Sequence, residues 1–316
     1  MFGLSLAWLA ALAWAAVALD RLLGEPPTRW HPLVAFGRLA QGLERWLNRS
    51  GRPLNARVAG LLGVILLVGL PTLAAMMLMA LLSPLAQAVS HCLLLSFALG
   101  GRSLHDHVAP VAEALLAGDL PRARRLTARI VSRDLDDADE PAVARAAVES
   151  TLENGSDAIF GALCWFVLAG GPGALAFRLA NTLDAMWGYR SPRYLHFGWA
   201  AARFDDLLGL LPARVVALSY ALAGHCGLAL RCWHQQAAAW ASPNAGPVMA
   251  AGAGALGVAL GGPARYQGVD EQRPPLGAGP APRAADVLRA LALVDRTLLG
   301  WLLVLAAAGA IAWVRG

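Results

Sequence analysis

The sequence predicts an all-α fold, a polytopic helical membrane protein, and three observations carry that expectation. Of the 316 residues, 57% are hydrophobic and only 15% charged, where a soluble domain carries about 25% charged residues. Mean hydropathy is +0.52. Long stretches carry no charge at all, and no strand-period alternation persists anywhere in the chain.

The first uncharged stretch runs from Phe2 to Leu19, close to the roughly 20 residues a bilayer crossing needs. No Arg precedes it, while Asp20 and Arg21 follow directly, which favours a retained helix over a cleaved signal peptide. Val58 to Leu82 is the clearest span. Ser83-Pro84 then breaks the chain before Leu85 to Gly101, the pattern of a helical hairpin. Near the C-terminus, Leu298 to Val314 lies between Arg296 and Arg315, with Trp301 and Trp313 suited to an interfacial belt.

Between these runs, residues 102–157 are expected to form a polar helical insert within a single membrane domain spanning residues 1–316. Gly118-Asp119-Leu120-Pro121 supplies a stop, an N-cap and an early-turn proline, and Asp139-Glu140-Pro141 repeats the start signal. Ala158 to Ala180, interrupted by Gly170-Gly171-Pro172-Gly173, admits either one kinked span or a re-entrant hairpin. Leu207 to Leu230 is apolar but carries Pro212 and Arg214. Residues 263–284 are rich in Pro and Gly and are expected to form an ordered loop.

Residues 21–57 hold seven Arg, as do residues 102–145. A hairpin over 58–101 places both segments on one side, and the positive-inside rule makes that side the cytoplasm.

All 26 basic residues are Arg, because the chain has no Lys. That excludes a P-loop lysine, a Schiff base and a lysyl base, so anions must be held by Arg, backbone N–H groups or a metal ion. A net charge of +5 is too dispersed for a nucleic-acid partner. Cys92, Cys164, Cys226 and Cys232 form no C-x-x-C pair and read as packing residues.

Four polar clusters border apolar sequence. Asp20 to Arg38 contains Glu25, Arg29 and His31 on backbone shaped by Gly24, Pro26, Pro27 and Pro32; it is either a capping loop or part of a site. Glu149 and Glu153 share a helical face and repel unless Arg145 or a Mg²⁺ ion compensates. Asn154-Gly155 is expected to end that helix before Asp157. Asn181, Asp184 and Arg190 follow one apolar run, and Arg203, Asp205 and Asp206 precede another. Acidic pairs beside Arg at a membrane boundary suit metal-bridged phosphate binding, with interfacial anchoring as the alternative. His105-Asp106-His107 has i, i+2 spacing, which splays the two imidazoles apart on a helix.

In order, D-R-L-L-G-E-P-P-T-R-W-H-P-L-V (20–34), I-V-S-R-D (130–134), A-A-V-E-S-T-L-E-N-G-S-D (146–157), N-T-L-D-A-M-W-G-Y-R (181–190), F-G-W-A-A-A-R-F-D-D (197–206), L-P-A-R (211–214) and S-P-N-A-G (242–246) resemble one family. It is the integral-membrane adenosylcobinamide-phosphate synthases of cobalamin biosynthesis, CobD or CbiB. The resemblance covers about residues 19 to 296. The chain departs from the pattern at Gly209, where Asn is expected, and after Asp157, where a proline is expected.

The resemblance implies ATP-dependent amide synthesis between a carboxylate of adenosylcobyric acid and (R)-1-amino-2-propanol O-phosphate or free aminopropanol. Mg²⁺ is then expected on some of Glu149, Glu153, Asp157 and Asp184. Arg133, Arg190, Arg203 and Arg214 are expected to clamp phosphates, with Arg38, Asn181, Tyr189 and Asn244 as further substrate contacts. Asp205 or Asp206 would accept the proton of the amine, with His31 a second base and Glu25 beside it. Expected partners are the corrinoid, the amine, ATP and the lipid bilayer, with a homo-oligomer or neighbouring pathway enzymes besides. The competing readings are a Mg²⁺-dependent prenyl or CDP-alcohol transferase and a non-enzymatic transporter or scaffold.

Overall fold

The computed structural model describes residues 4–26, 28–49, 52–266 and 268–315. Phe2, at the start of the first expected span, and Pro27, in the first polar cluster, lie outside them. Among the described residues six helices are long and apolar enough to cross a membrane.

Helix α1 (Leu6–Leu23) starts where the Ser5 hydroxyl accepts the Trp8 N–H and stops at Gly24, whose φ of 65° ends the helical path. Helix α2 (Pro32–Leu47) is capped by His31, whose Nδ1 accepts the Leu33 N–H. Helix α3 (Pro53–Val64) widens into a π turn at Ile65–Gly69 and continues as α4 (Leu70–Ala80). The break at Ser83-Pro84 is as the sequence indicates: Ser83 caps α5 (Pro84–Ala98) and Pro84 opens it. Helices α6 (Gly101–Leu116) and α7 (Leu120–Thr127) follow. Asp119 accepts the Arg122 N–H to start α7, and Asp139 does the same for Ala142 at the start of α8 (Glu140–Gly155).

Helix α8 does not end at Asn154-Gly155 as expected. Asn154 hydrogen-bonds Ser150 one turn back, and a Cβ at Gly155 would meet Val294 at 2.9 Å and the Tyr220 hydroxyl at 3.0 Å. Glycine serves close packing there, and the helix runs on through a π turn, Ser156–Gly161, that carries Asp157.

Helix α9 (Ala162–Trp187) resolves the ambiguity of the middle region. Ala169 and Gly170 leave helical geometry, with Gly170 at φ 65°. A Cβ at Gly173 would lie 2.4 Å from the Trp165 carbonyl, and one at Gly161 2.1 Å from the Phe177 ring. Residues 16 apart cannot touch in a straight helix, where they would sit about 24 Å apart. The segment is therefore a helical hairpin with its tip at 169–170. Buried His91 of α5 holds that tip by accepting the Gly171 N–H on Nδ1 at 2.8 Å.

Helices α10 (Trp199–Ala223), α11 (Cys226–Gln236), α12 (Ala245–Leu256) and α13 (Ala284–Arg315) complete the helical set. The Pro/Gly segment folds into two small antiparallel ribbons, β1 (Ala259–Gly261) with β4 (Pro275–Gly277) and β2 (Ala264–Tyr266) with β3 (Val269–Glu271).

The chain forms two compact units: Met1–Gly100, Gly161–Gly209 and Val304–Gly316 make one, and Gly101–Phe160 with Leu210–Leu303 the other. The 102–157 insert thus folds together with 210–303. In the first unit α5 packs on the α9 hairpin and on α1. In the second, every residue of α12 is buried, and its Gly252 and Gly254 admit Leu152 of α8 and the Ala229 backbone of α11.

Candidate functional site

Each unit carries one polar centre. In the first unit it is assembled by the loop joining α9 to α10. Glycines allow that loop to close: a Cβ at Gly198 would stand 1.7 Å from the Trp187 carbonyl, and one at Gly60 of α3 1.9 Å from the Phe197 carbonyl. Trp187 and Phe197, both buried, meet edge to face at 4.8 Å. Glu44 of α2 ties the loop down by pairing with Arg193, Nε–Oε1 3.0 Å and Nη2–Oε2 2.5 Å, while Asn48 bonds Glu44 and the Arg193 carbonyl. Burial pushes the Glu44 carboxyl up, but the hydrogen bonds from Arg193 and Asn48 and the Arg193 charge outweigh it and hold it below its ordinary value. This clamp was not foreseen, because Glu44 and Arg193 belong to no motif.

The closed loop brings the end of α9 to the start of α10. Asp184, Asp205 and Asp206 lie within electrostatic reach of one another, Asn181 hydrogen-bonds Asp205, and Arg190 and Arg203 act on Asp206. Arg203 Nη1 stands 3.4 Å from Asp206 Oδ2. Asp205 Oδ1 is buried with no hydrogen-bond partner among the described residues. Two clusters some twenty residues apart in sequence thus become one carboxylate site flanked by guanidinium groups. Tyr189, beside Arg190 in the loop, is 54% exposed.

Near the start of the same unit, His31 Nε2 lies 3.5 Å from Glu25 Oε2, and Arg178 Nη2 lies 3.9 Å from Glu25 Oε1. Arg38 is exposed on α2.

The polar centre of the second unit is built on Glu149. Its carboxylate accepts the Gly261 N–H at 2.8 Å and pairs with Arg273 and Arg133. Arg133 Nε donates to the Tyr266 hydroxyl at 3.1 Å, Arg273 Nε to the Gly262 carbonyl at 3.2 Å, and Arg273 lies 5.3 Å from the Trp240 ring centre. Burial and the neighbouring Arg273 draw Arg133 below its ordinary value, against the Tyr266 and Glu153 interactions. Burial lowers Arg273 likewise. Glu153, one turn on, is within reach of both guanidinium groups.

This arrangement corrects one expectation. The compensation of Glu149 comes from Arg133 and Arg273, while Arg145 turns to the Gly261 carbonyl at 3.4 Å. Among the described residues no three His, Cys, Asp or Glu side chains are placed to hold a metal ion by themselves. Glu149 already spends both oxygens on Arg and backbone donors.

Beside this hub opens a cleft of about 490 Å³. Arg133, Arg145 and Arg265 line it together with Asp134, Asp136, Asp137 and Asp270. The I-V-S-R-D loop and the β2–β3 ribbon are locked together at its edge, since Asp134 N–H donates to the Arg265 carbonyl and its carboxylate accepts the Gly268 N–H. Elsewhere in the unit Arg214 Nη1 donates to Asn244 Oδ1 at 2.9 Å. His105 pairs with Asp295 across α6 and α13, and His107 turns back to Ser103, so the imidazoles diverge as their spacing indicated.

Residues 13–294 match the family model described as CobD/Cbib protein. The cobalamin biosynthesis protein CobD of Chromobacterium violaceum is 56% identical over 290 residues, covering 90% of this chain and 92% of that protein. The protein of the same name from Stutzerimonas stutzeri is 57% identical over 291 residues, 92% and 94% of the two chains. That of Mycobacterium tuberculosis is 42% identical over 280 residues, 87% and 88% of the two. No solved structure matches. Matched along nearly all of its length by one family model, the chain belongs to the CobD/Cbib family.

Proposed function

We propose that this protein is a multi-pass membrane enzyme of cobalamin biosynthesis that joins a carboxylate of adenosylcobyric acid to (R)-1-amino-2-propanol O-phosphate, or to the free amino alcohol, at the expense of ATP. The pathway follows from the names of its relatives. The membrane setting follows from six apolar helices. The amide chemistry rests on one observation, the meeting of Asp184, Asp205 and Asp206 with Asn181, Arg190 and Arg203.

A carboxylate does not acylate an amine at neutral pH, so ATP must first convert it to an acyl phosphate. The amine nitrogen then attacks the carbonyl carbon, the C–O bond to phosphate breaks, and one proton leaves the nitrogen. Arg190 and Arg203 offer planar forks for phosphate oxygens. Asp206, paired with Arg203, orients the ammonium; Asp205, whose buried Oδ1 has no hydrogen-bond partner among the described residues, accepts the proton.

Mg²⁺ takes one or two carboxylates and completes its shell with waters and substrate phosphates. Asp184, completed by waters and substrate phosphates, fits that demand without a three-ligand protein cage. Bound there, the ion would neutralise phosphate charge. The Arg-rich segments support an inner-membrane protein with its site on the cytoplasmic side.

The test is to incubate detergent-purified protein with adenosylcobyric acid, aminopropanol phosphate, ATP and Mg²⁺ and to follow the corrinoid mass. A gain equal to amide formation, absent without ATP or Mg²⁺, supports the synthase. Pyrophosphate or CMP release without ATP would support a membrane transferase instead.

A further inference from the structure

Helix α2 divides into three faces. Its inner face is occupied: Gly37 lies against Met186, Ala40 is fully buried, Glu44 grips Arg193, and Leu47 packs near Gly63. One outer face carries Ala35, Leu39, Gly42 and Trp46, spaced i, i+4, i+7 and i+11, all exposed, with Leu39 and Trp46 each at 62%. The other carries Arg38, Gln41 and Arg45 and leads to Arg49, again all exposed. The lone acid of the helix, Glu44, is turned inward and paired, so the outer surface sets an arginine face without carboxylates beside an apolar one.

The helix also joins two candidate spans, α1 ending at Leu23 and the long α3–α4 helix beginning at Pro53. Both of its connections start at a membrane boundary. Just before it, Trp30 is 72% exposed, with Arg29 stacked 5.9 Å from its ring centre.

We propose that α2 lies in the plane of the membrane surface, its Ala35–Leu39–Gly42–Trp46 stripe pressed into the acyl boundary and Arg38, Arg45 and Arg49 holding the phosphates of an anionic leaflet. An apolar stripe flanked by arginines and tryptophan is what an in-plane interfacial helix presents to lipid. Charge complementarity selects anionic headgroups, since the arginines face outward with no carboxylate among them. The inference concerns a lipid surface and is independent of the amide chemistry.

The test uses full-length protein in nanodiscs of phosphatidylcholine with phosphatidylglycerol, loaded with one copy per disc. Leu39→Cys and Gln41→Cys are each labelled with a membrane-impermeant maleimide, with the four native cysteines as background. The Leu39→Cys thiol is expected to react at least tenfold more slowly than Gln41→Cys, and both to react fully in SDS. Equal rates in the disc overturn the proposal. Protection that appears only in discs holding two copies assigns the stripe to a subunit interface and overturns it too. Native mass spectrometry supplies the second arm: Arg45→Gln with Arg49→Gln should weaken phosphatidylglycerol retention by about fivefold per arginine removed. Unchanged retention removes the anionic-leaflet part of the proposal.

Discussion

Glu149 and Arg273, 124 residues apart in the chain, meet through both carboxylate oxygens, Nη1 at 2.9 Å from Oε2 and Nη2 at 3.4 Å from Oε1. With Arg133 on the same carboxylate, the pair fastens the β1–β4 region and the I-V-S-R-D loop to α8.

Glu149→Ala leaves two buried guanidinium groups without their counter-charge. Removing one partner of a buried pair costs about 3–5 kcal/mol. Thermal unfolding in detergent without Mg²⁺ should show that loss; a melting temperature equal to wild type under those conditions would mean that Glu149 is free for another role.

Asp184→Asn and Asp205→Asn are expected to lower turnover at least about 100-fold, the scale of a lost acid–base group. Their elution from a sizing column should be unchanged. Wild-type rates in both variants, measured by corrinoid mass, would remove the carboxylate site from the reaction.

The Glu44–Arg193 clamp predicts a pH signature. The native carboxyl titrates below its ordinary value of 4.5. Its contribution to stability is therefore complete above pH 4.5 and is lost as the pH falls through the native value. Arg193→Gln should melt below wild type at pH 7, with the gap closing toward pH 3; a gap that stays constant would count against the clamp.

Gly170→Ala should destabilise the hairpin tip by about 1–3 kcal/mol through its positive φ alone. The new Cβ would also approach the His91 ring at 2.6 Å. Near-wild-type melting would argue that the tip is not held as described.

Much of this architecture was legible because its signals are local. Ser83-Pro84, Asp119 and Asp139 each start a helix by capping chemistry that needs only neighbouring residues. The motif aspartates at 184, 205 and 206 announced themselves by polarity beside apolar runs. Their convergence was hidden, because it depends on Gly60 and Gly198 letting backbones touch and on Glu44 pairing with a residue 149 positions away. The partners of Glu149 were hidden for the same reason: Arg273 and Tyr266 sit in a segment whose prolines and glycines advertise only turns. Strands of three residues have no periodicity to read.

The fold-back at Ala169–Gly170 has a topological consequence. By hydropathy residues 140–187 count as one candidate span, and a single traverse there would send the chain from one face of the bilayer to the other. A chain that enters along the first arm and reverses beside His91 emerges on the face it came from. Everything after Trp187, the Arg203–Asp206 segment included, then has the sidedness opposite to the one a count of apolar runs assigns. Reporter fusions that sever the second arm from the first would reproduce the wrong count, because the reversal exists only when both arms are present.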